Sequence, residues 1–214
     1  MSVPSPTARR PLGAELVELV RRPSSTFPRL LDRADSPAAF IFPAVSGIFF
    51  AYEAAQALRL SDQVGFPAAV GLVIFVGAML GVLALWFATV LPSWNAMLPG
   101  GGVRESTRMF AVFGYATWPF LPLLLIVIPI ELALYGTRIF SEVRPSGPWP
   151  LVWLVRALEL GTIFLWLALM IKGTAVARRE TEEAAMRDIG RWTAEIIVIA
   201  VLLFLILVVS LAYW

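Results

Sequence analysis

The chain has 214 residues, of which 59% are hydrophobic and only 15% are charged, and its mean hydropathy is +0.80. These values lie well outside the range of ordinary soluble domains, so the bilayer is the solvent in which the sequence has to be interpreted. Cysteine and histidine are both absent, which excludes disulfides, thiolate chemistry, the usual transition-metal ligands and the commonest general base. We therefore expect no cofactor and no metal site. The net charge of only +2 gives no reason to expect nucleic-acid binding.

The first 37 residues are polar and rich in turn formers, and they contain no apolar stretch suited to a signal peptide. The segment LGAELVELVRR at 12–22 places apolar residues near one helical face and charged residues toward the other, and a second short apolar run surrounds Phe27. Two arrangements remain open: an amphipathic pair of helices on the cytoplasmic leaflet, or helices that pack beneath a membrane-spanning bundle. We predict a cytoplasmic tail over residues 1–37 and a membrane domain over residues 38–214.

The predicted membrane domain contains five apolar runs of about 20 residues, the length that crosses a bilayer as helix. They predict an all-α, polytopic membrane protein, a bundle of five transmembrane helices preceded by the amphipathic cytoplasmic segment. The predicted spans cover residues 38–58, 67–90, 110–136, 149–171 and 193–214. Gly77 and Gly81 in the second span have a spacing that lets two helices approach closely. The fourth helix is expected to continue as a charged helix before the chain turns back near Gly190.

Positively charged residues are distributed unequally between the two sides of this predicted bundle. Thirteen lie in the tail, in the second loop and in the segment 172–192, whereas only Arg59, Arg138 and Arg144 lie in the remaining loops. By the positive-inside rule, this distribution predicts an amino terminus in the cytoplasm and a carboxyl terminus outside.

Four ionisable residues fall well inside predicted spans: Glu53, Glu131, Arg156 and Glu159. With the orientation above, the rise of an α-helix places all four in a band roughly 7–15 Å below the outer face. An isolated charge in lipid costs a few kcal/mol, so we expect them to face one another or a wet cavity. Three acids then share one base, which favours protonation of one carboxyl and makes it a candidate proton carrier. The alternative is a buried polar clasp that only fixes how the helices pack.

The third span, FGYATWPFLPLLLIVIPIELALYG at 113–136, carries three residues that cannot donate a backbone hydrogen bond: Pro119, Pro122 and Pro129. Each is expected to free the carbonyl four residues earlier, in Tyr115, Trp118 and Leu125. Irregular backbone at membrane depth is tolerated where protein or water surrounds it. We therefore predict that this span is the bent, central helix of the bundle and that Glu131 points inward.

Two segments resemble the Yip1 family of five-span membrane proteins, in its bacterial branch. LVRRPSSTFPRLLDRADSPAAFIFPAVSGIFF resembles the family's proline-phenylalanine segment that leads into the first span. FGYATWPFLPLLL resembles its Gly-Tyr pair followed by a proline-rich third span, which assigns Gly114, Tyr115 and Pro119 to the family-like motif. The likeness covers about residues 17–213. It implies a helical membrane fold located in the bacterial cytoplasmic membrane.

Eukaryotic relatives of this kind are implied to act in vesicle transport between endoplasmic reticulum and Golgi, where they bind prenylated small GTPases and one another. The long acidic cytoplasmic region of those relatives is absent from this sequence. For this chain the resemblance therefore implies a fold and a location more than an activity.

Three classes of function can be compared on these observations. The leading hypothesis is a non-enzymatic membrane protein that contacts the lipid bilayer, binds protein partners or lipids, or forms a homo-oligomer through its bundle. The alternative is a small transporter or proton-coupled channel that uses the four intramembrane charges. An intramembrane enzyme is the third class. Its candidate nucleophile is Ser46, which has no histidine to activate it and is better explained, beside Gly47, by close helix packing.

Overall fold

The computed structural model describes residues 11–31, 37–96, 103–141 and 148–194, and all regular structure within those residues is helical. The helices are α1 (Leu12–Arg21), α2 (Pro23–Leu31), α3 (Ala38–Ala57), α4 (Leu60–Val64), α5 (Phe66–Ala96), α6 (Val103–Ala116), α7 (Phe120–Tyr135), α8 (Trp149–Arg178) and α9 (182–194). A short 3-10 turn, Gly136–Arg138, follows α7.

Within the described residues, four segments are long and apolar enough to cross a membrane. They are Ala38–Ala57, Phe66–Phe87, Thr107–Arg138 and Trp149–Arg178, and they correspond to the first four predicted spans. The third of them includes most of α6, all of α7 and the break between these two helices. The fifth predicted span, 193–214, lies outside the described residues apart from its first two positions.

The spanning helices alternate in direction, so the bundle has two ends. We call them the α1 end, where α1 and α2 lie, and the α4 end, where α4 and the turn after α7 lie. Three apolar clusters are stacked between these ends. The one at the α1 end contains Leu19 and Phe27, the middle one Phe49 and Phe120, and the one at the α4 end Tyr52, Val73 and Phe140.

Among the described helices, the closest contact is between α3 and α5, and it is made by glycines. A Cβ carbon added to Gly81 would lie 2.0 Å from the carbonyl oxygen of Pro43, and one added to Gly47 would lie 2.1 Å from that of Gly77. No side chain fits between backbones at these distances. The predicted role of Gly77 and Gly81 in close packing is confirmed, and Gly47 is their partner on α3.

The third span is broken at residues 117–119, as the prolines predicted, but two of the three carbonyls expected to be free have donors. The Tyr115 carbonyl accepts from the Trp118 N–H at 3.4 Å, and the Trp118 carbonyl accepts from the Leu121 N–H at 3.0 Å. Donor and acceptor are three residues apart in both contacts, which is the spacing of a 3-10 helix. Neither carbonyl therefore carries the free-energy cost of a buried acceptor without a donor. Pro119 precedes the first residue of α7, and Pro122 lies in its first turn, where no intrahelical donor is lost. Pro129 lies inside α7.

The two helices before the first span belong to the apolar cluster at the α1 end. Leu16 and Leu19 of α1 and Phe27 and Leu30 of α2 are buried there together with residues of α6 and α8. Phe27 contacts α8 where the chain has Gly173, because a Cβ added to that glycine would lie 2.7 Å from the ring carbon Cζ of Phe27. These four apolar side chains are thus covered by protein, whereas Val17 and Val20 of α1 are exposed. The predicted domain boundary at residues 37 and 38 stays a prediction.

The turn after the fourth span is not where the sequence predicted it. Helix α8 does continue past residue 171, but it ends at Arg178, and Arg179 adopts a left-handed conformation with φ 58°. Helix α9 then runs through Gly190 without a break. Two ion pairs bridge the turn, Lys172 to Glu182 at 2.9 Å and Arg178 to Asp188. These pairs hold α9 against α8 across the break at 179–181, whereas glycine alone does not stop a helix.

Candidate functional site

Six polar side chains lie together among the apolar residues near the α4 end of the bundle, and we call them the polar cluster. Helix α3 contributes three of them, α7 one and α8 two: Tyr52, Glu53, Gln56, Glu131, Arg156 and Glu159. The cluster has two halves that meet on α3. One half connects α3 to α7, and the other connects α3 to α8.

The α3–α7 half is centred on Glu131, whose side chain points inward and is 4% exposed. Its Oε2 atom accepts hydrogen bonds from the Tyr52 hydroxyl and from the Gln56 Nε2 atom, the latter at 2.8 Å. Tyr52 and Gln56 are four residues apart, so they lie on one face of α3, one turn from each other. Glu131 is thus held by two neutral donors.

The α3–α8 half is an ionic group of three residues. The Arg156 Nη1 atom donates to Glu159 Oε2 at 2.6 Å and to Glu53 Oε2 at 2.8 Å. The pair of Arg156 with Glu159 is a three-residue helical pair, and the pair with Glu53 joins two different helices. The Glu159 side chain is 7% exposed, whereas those of Glu53 and Arg156 are 29% and 40% exposed. The group is therefore closed on the Glu159 side and open on the other.

The structure brings together three of the four residues that the sequence singled out, Glu53, Arg156 and Glu159, in direct contact. Glu131 lies in the neighbouring half and is connected to them through Tyr52 and Gln56 of α3. Sequence reasoning missed Tyr52 and Gln56. Their four-residue spacing next to Glu53, in an otherwise apolar span, was the signal that was available.

The residues of the family-like motif lie where the third span crosses α3 and then breaks. A Cβ carbon added to Gly114 would lie 2.6 Å from the carbonyl oxygen of Ala39, so only glycine allows α6 to approach α3 this closely. Tyr115 is fully buried, and its ring lies 6.5 Å from that of Phe42. Pro119 begins the second half of the span. The motif therefore has a structural explanation in the packing of α6 against α3.

The surroundings of the polar cluster are apolar on both sides. Toward the α1 end, the next described layer consists of Phe49, Phe120, Leu123, Leu124 and Val127. Beside Tyr52, a cleft of about 270 Å³ opens between α3, α5 and α7, and its lining is apolar. Within the described residues, no group of three histidine, cysteine or carboxylate side chains is placed to hold a metal ion.

Ser46, the candidate nucleophile of the enzyme hypothesis, is buried and is used within its own helix. Its hydroxyl donates to the Pro43 carbonyl oxygen at 2.8 Å. Its neighbour Gly47 faces the glycines of α5. Ser46 and Gly47 therefore belong to the part of α3 that packs against α5.

Comparison with known proteins gives one result for the chain as a whole. The family model of the Yip1 domain matches residues 17–213. The chain belongs to the Yip1 family. The predicted resemblance is confirmed, and together with the four apolar helices it makes the chain a membrane protein of the Yip1 type. Searches of the curated proteins and of the solved structures return no match.

The match to the Yip1 domain begins inside α1. It therefore includes the second half of α1 and all of α2 as well as the spanning helices. The polar cluster and the Gly-Tyr motif both lie within the matched residues. Chemically, the cluster can connect three helices or exchange a proton.

Proposed function

We propose that this chain is a non-enzymatic membrane protein that binds anionic lipid through its α1 end and thereby organises the membrane around it. The proposal includes a location in the bacterial cytoplasmic membrane, with the amino terminus in the cytoplasm and the carboxyl terminus outside. It is supported by the excess of positive charge in the segments that join the helices at the α1 end.

The observation that carries the proposal is the outward face of α1. Leu16 and Leu19 of this helix are buried against the bundle, but Val17 and Val20 are 53% and 40% exposed. Arg21 and Arg22, which follow directly, are exposed as well. An outward surface that is apolar and basic, at the end of a membrane-spanning bundle, has the composition of helices that lie in the lipid headgroup region. Each arginine near an anionic leaflet contributes about 1 kcal/mol.

Transport receives less support than lipid binding. A conduction path needs polar groups that continue from the cluster to the opposite membrane surface. In the part of the chain that the structure describes, the layer between the cluster and the α1 end is built from Phe49, Phe120 and their aliphatic neighbours.

The test uses the full-length protein in nanodiscs that contain a mixture of zwitterionic and anionic lipids. The anionic lipid retained per protein is measured by mass spectrometry for the parent and for the double variant Arg21→Gln/Arg22→Gln. We expect the double variant to retain several-fold less anionic lipid, because two favourable charges at the surface are lost. The matched control is Arg138→Gln, which removes an exposed arginine at the α4 end.

Three outcomes would contradict the proposal. The first is equal retention in the parent and the double variant, and the second is an equal loss in the Arg138→Gln control. The third is a protein partner, isolated from native membranes, whose binding depends on Arg21 and Arg22 while lipid retention does not.

Orientation is tested in whole cells by labelling a single cysteine at Ser24 and another at Thr137, since the native chain contains no cysteine. The proposal expects only the Thr137 position to be labelled from outside.

A further inference from the structure

Two carboxylate oxygens of the polar cluster are buried without a hydrogen-bond donor among the described residues. They are the Oε1 atoms of Glu53 and Glu159, whose Oε2 atoms both bind Arg156 Nη1. Because both carboxylates bind the same nitrogen atom, they are next to each other. Glu159 as a whole is only 5% exposed, so solvent does not supply a donor to it. Leaving a buried acceptor without a donor costs about 1–3 kcal/mol, and more when the group is charged.

The charges around these two oxygens are unbalanced. Arg156 on α8 is one cation between two carboxylates, one on its own helix and one on α3. Among the residues that the structure describes, the neighbouring titratable groups are Glu131 on α7, which adds a third acid, and Tyr52 on α3, which is neutral. Helix α5 contains no charged residue. A carboxylate removed from water without a partner loses several kcal/mol, and proteins commonly avoid that cost by neutralising the group.

We propose that Glu53 and Glu159 bind one proton between them, on the oxygen atoms that Arg156 does not contact. The proton attaches to Oε1 of one carboxylate, and the resulting hydroxyl donates to Oε1 of the other. No covalent bond is broken, and the proton comes from the surrounding water. This single proton gives both free acceptors a partner and makes the group of Glu53, Arg156 and Glu159 neutral. A hard metal ion would require about six oxygen ligands, more than this pair offers.

The bound proton has a mechanical consequence, because Glu53 and Glu159 belong to different helices. With the proton present, the two carboxyl groups attract each other and α3 is held to α8. Without it, two adjacent carboxylates share one guanidinium and repel each other. The open side of the group, at Glu53 and Arg156, is where a proton can enter or leave. The contact between α3 and α8 at Glu53 and Glu159 therefore depends on the bound proton.

The first measurement is infrared spectroscopy of the full-length protein in lipid vesicles, recorded at neutral pH in water and in heavy water. We expect the carbonyl band of a protonated carboxyl group, shifted by deuterium exchange. Glu159→Gln and Glu53→Gln should each remove the band, because either change leaves one carboxylate for one arginine. Glu131→Gln is the matched control. It alters a carboxyl of similar burial that already has two donors, and the band should remain.

The second measurement is thermal unfolding as a function of pH. It compares the parent with Glu53→Gln only, so it tests the proposal even if Glu159→Gln fails to fold. A proton bound in the folded state and released on unfolding stabilises the protein less as pH rises. The unfolding temperature of the parent should therefore fall with increasing pH, and Glu53→Gln should abolish that part of the fall. The amide of glutamine at position 53 can itself donate to Glu159, so this variant should keep its fold.

Several results would overturn the proposal. One is the absence of a protonated-carboxyl band in the parent at neutral pH. Another is a band that survives both Glu53→Gln and Glu159→Gln but disappears in Glu131→Gln. A third is a band that appears only when sodium is replaced by a large organic cation, because that dependence would assign the site to a metal cation that competes with the proton.

Discussion

Glu131 lies in the middle of an apolar helix and is held by neutral donors, whereas Glu53 and Glu159 are held by a cation. The difference follows from the faces of α3. Tyr52 and Gln56 share the face toward α7, and Glu53 lies about 100° around the helix from Tyr52, toward α8. One turn of α3 therefore supplies partners to two neighbouring helices. The side chains of Tyr52, Glu53 and Gln56 therefore influence how α7 and α8 pack against α3.

Tyr52→Phe tests the neutral half of the cluster. The change removes the hydroxyl that donates to Glu131 and keeps the ring, which packs against Phe140. We expect the free energy of unfolding in mixed micelles to fall by about 1 kcal/mol, the usual magnitude for a side-chain hydrogen bond within a membrane. In a Glu131→Gln background the same change should cost less, because the acceptor is no longer a carboxylate. An equal loss in both backgrounds would show that the hydroxyl acts elsewhere.

The level of the four charged residues within the bundle could be predicted from the sequence, because helical rise converts residue numbers into depth. The partners Tyr52 and Gln56 could not. Neutral polar residues are common in membrane helices, and the rotation of α3 relative to α7 is set by packing that the sequence does not display. Similarly, Pro119 and Pro122 indicated a break in the third span. The hydrogen bonds to the Tyr115 and Trp118 carbonyls, each from the residue three positions later, depend on the local backbone conformation and could not be predicted.

At the scale of helices, the contact between α3 and α5 determines the spacing of the first hairpin. Gly47 on α3 faces Gly77 and Gly81 on α5, and the nearest atoms are backbone atoms. Backbone atoms cannot move aside as a flexible side chain can. Any side chain at these positions therefore has to separate the two helices along their length.

Gly81→Ala should destabilise the protein by about 1–3 kcal/mol, the cost of overpacking a tightly packed core. The methyl carbon would lie 2.0 Å from the Pro43 carbonyl oxygen, well inside contact distance. The matched control is Gly71→Ala on the same helix, where an added methyl group meets no atom within 4 Å. Thermal unfolding in detergent measures both. If Gly71→Ala lowers stability as much as Gly81→Ala does, helix packing is not what Gly81 provides.

The helix ends show what sequence patterns can and cannot predict. Gly77 and Gly81 carried a spacing with a direct physical meaning, and the structure confirms it. Gly190 suggested a turn, yet α8 ends just before Arg179, a non-glycine residue in a left-handed conformation, and α9 continues through Gly190. Ion pairs hold α9 to α8 across this break, and a pairing between residues ten positions apart is not evident from the sequence.

For the molecule as a whole, the polar cluster and the glycine contact are complementary. The glycines bring α3 and α5 together, and the cluster connects α3 to α7 and α8, helices with which α3 shares less backbone contact. At the other end, α1 and α2 close the bundle through Phe27 and its neighbours. Composition and hydropathy predicted a helical membrane protein, and the family match agrees. Composition does not determine how α1 and α2 pack, because an amphipathic helix can bury its apolar face against protein or lipid.

The central claim is that charged residues from separate spans bind one another inside the bundle, and a double-mutant cycle on Glu53 and Arg156 tests it most directly. Unfolding free energies are measured for Glu53→Gln, Arg156→Gln and the double variant in the same micelles. We predict a coupling energy of about 0.5–3 kcal/mol, toward the lower end because Arg156 is 40% exposed. The control cycle pairs Glu53→Gln with Lys172→Gln, about 24 Å along α8 from Arg156, and should be additive. A coupling between Glu53 and Arg156 no larger than that of the control pair would contradict the account.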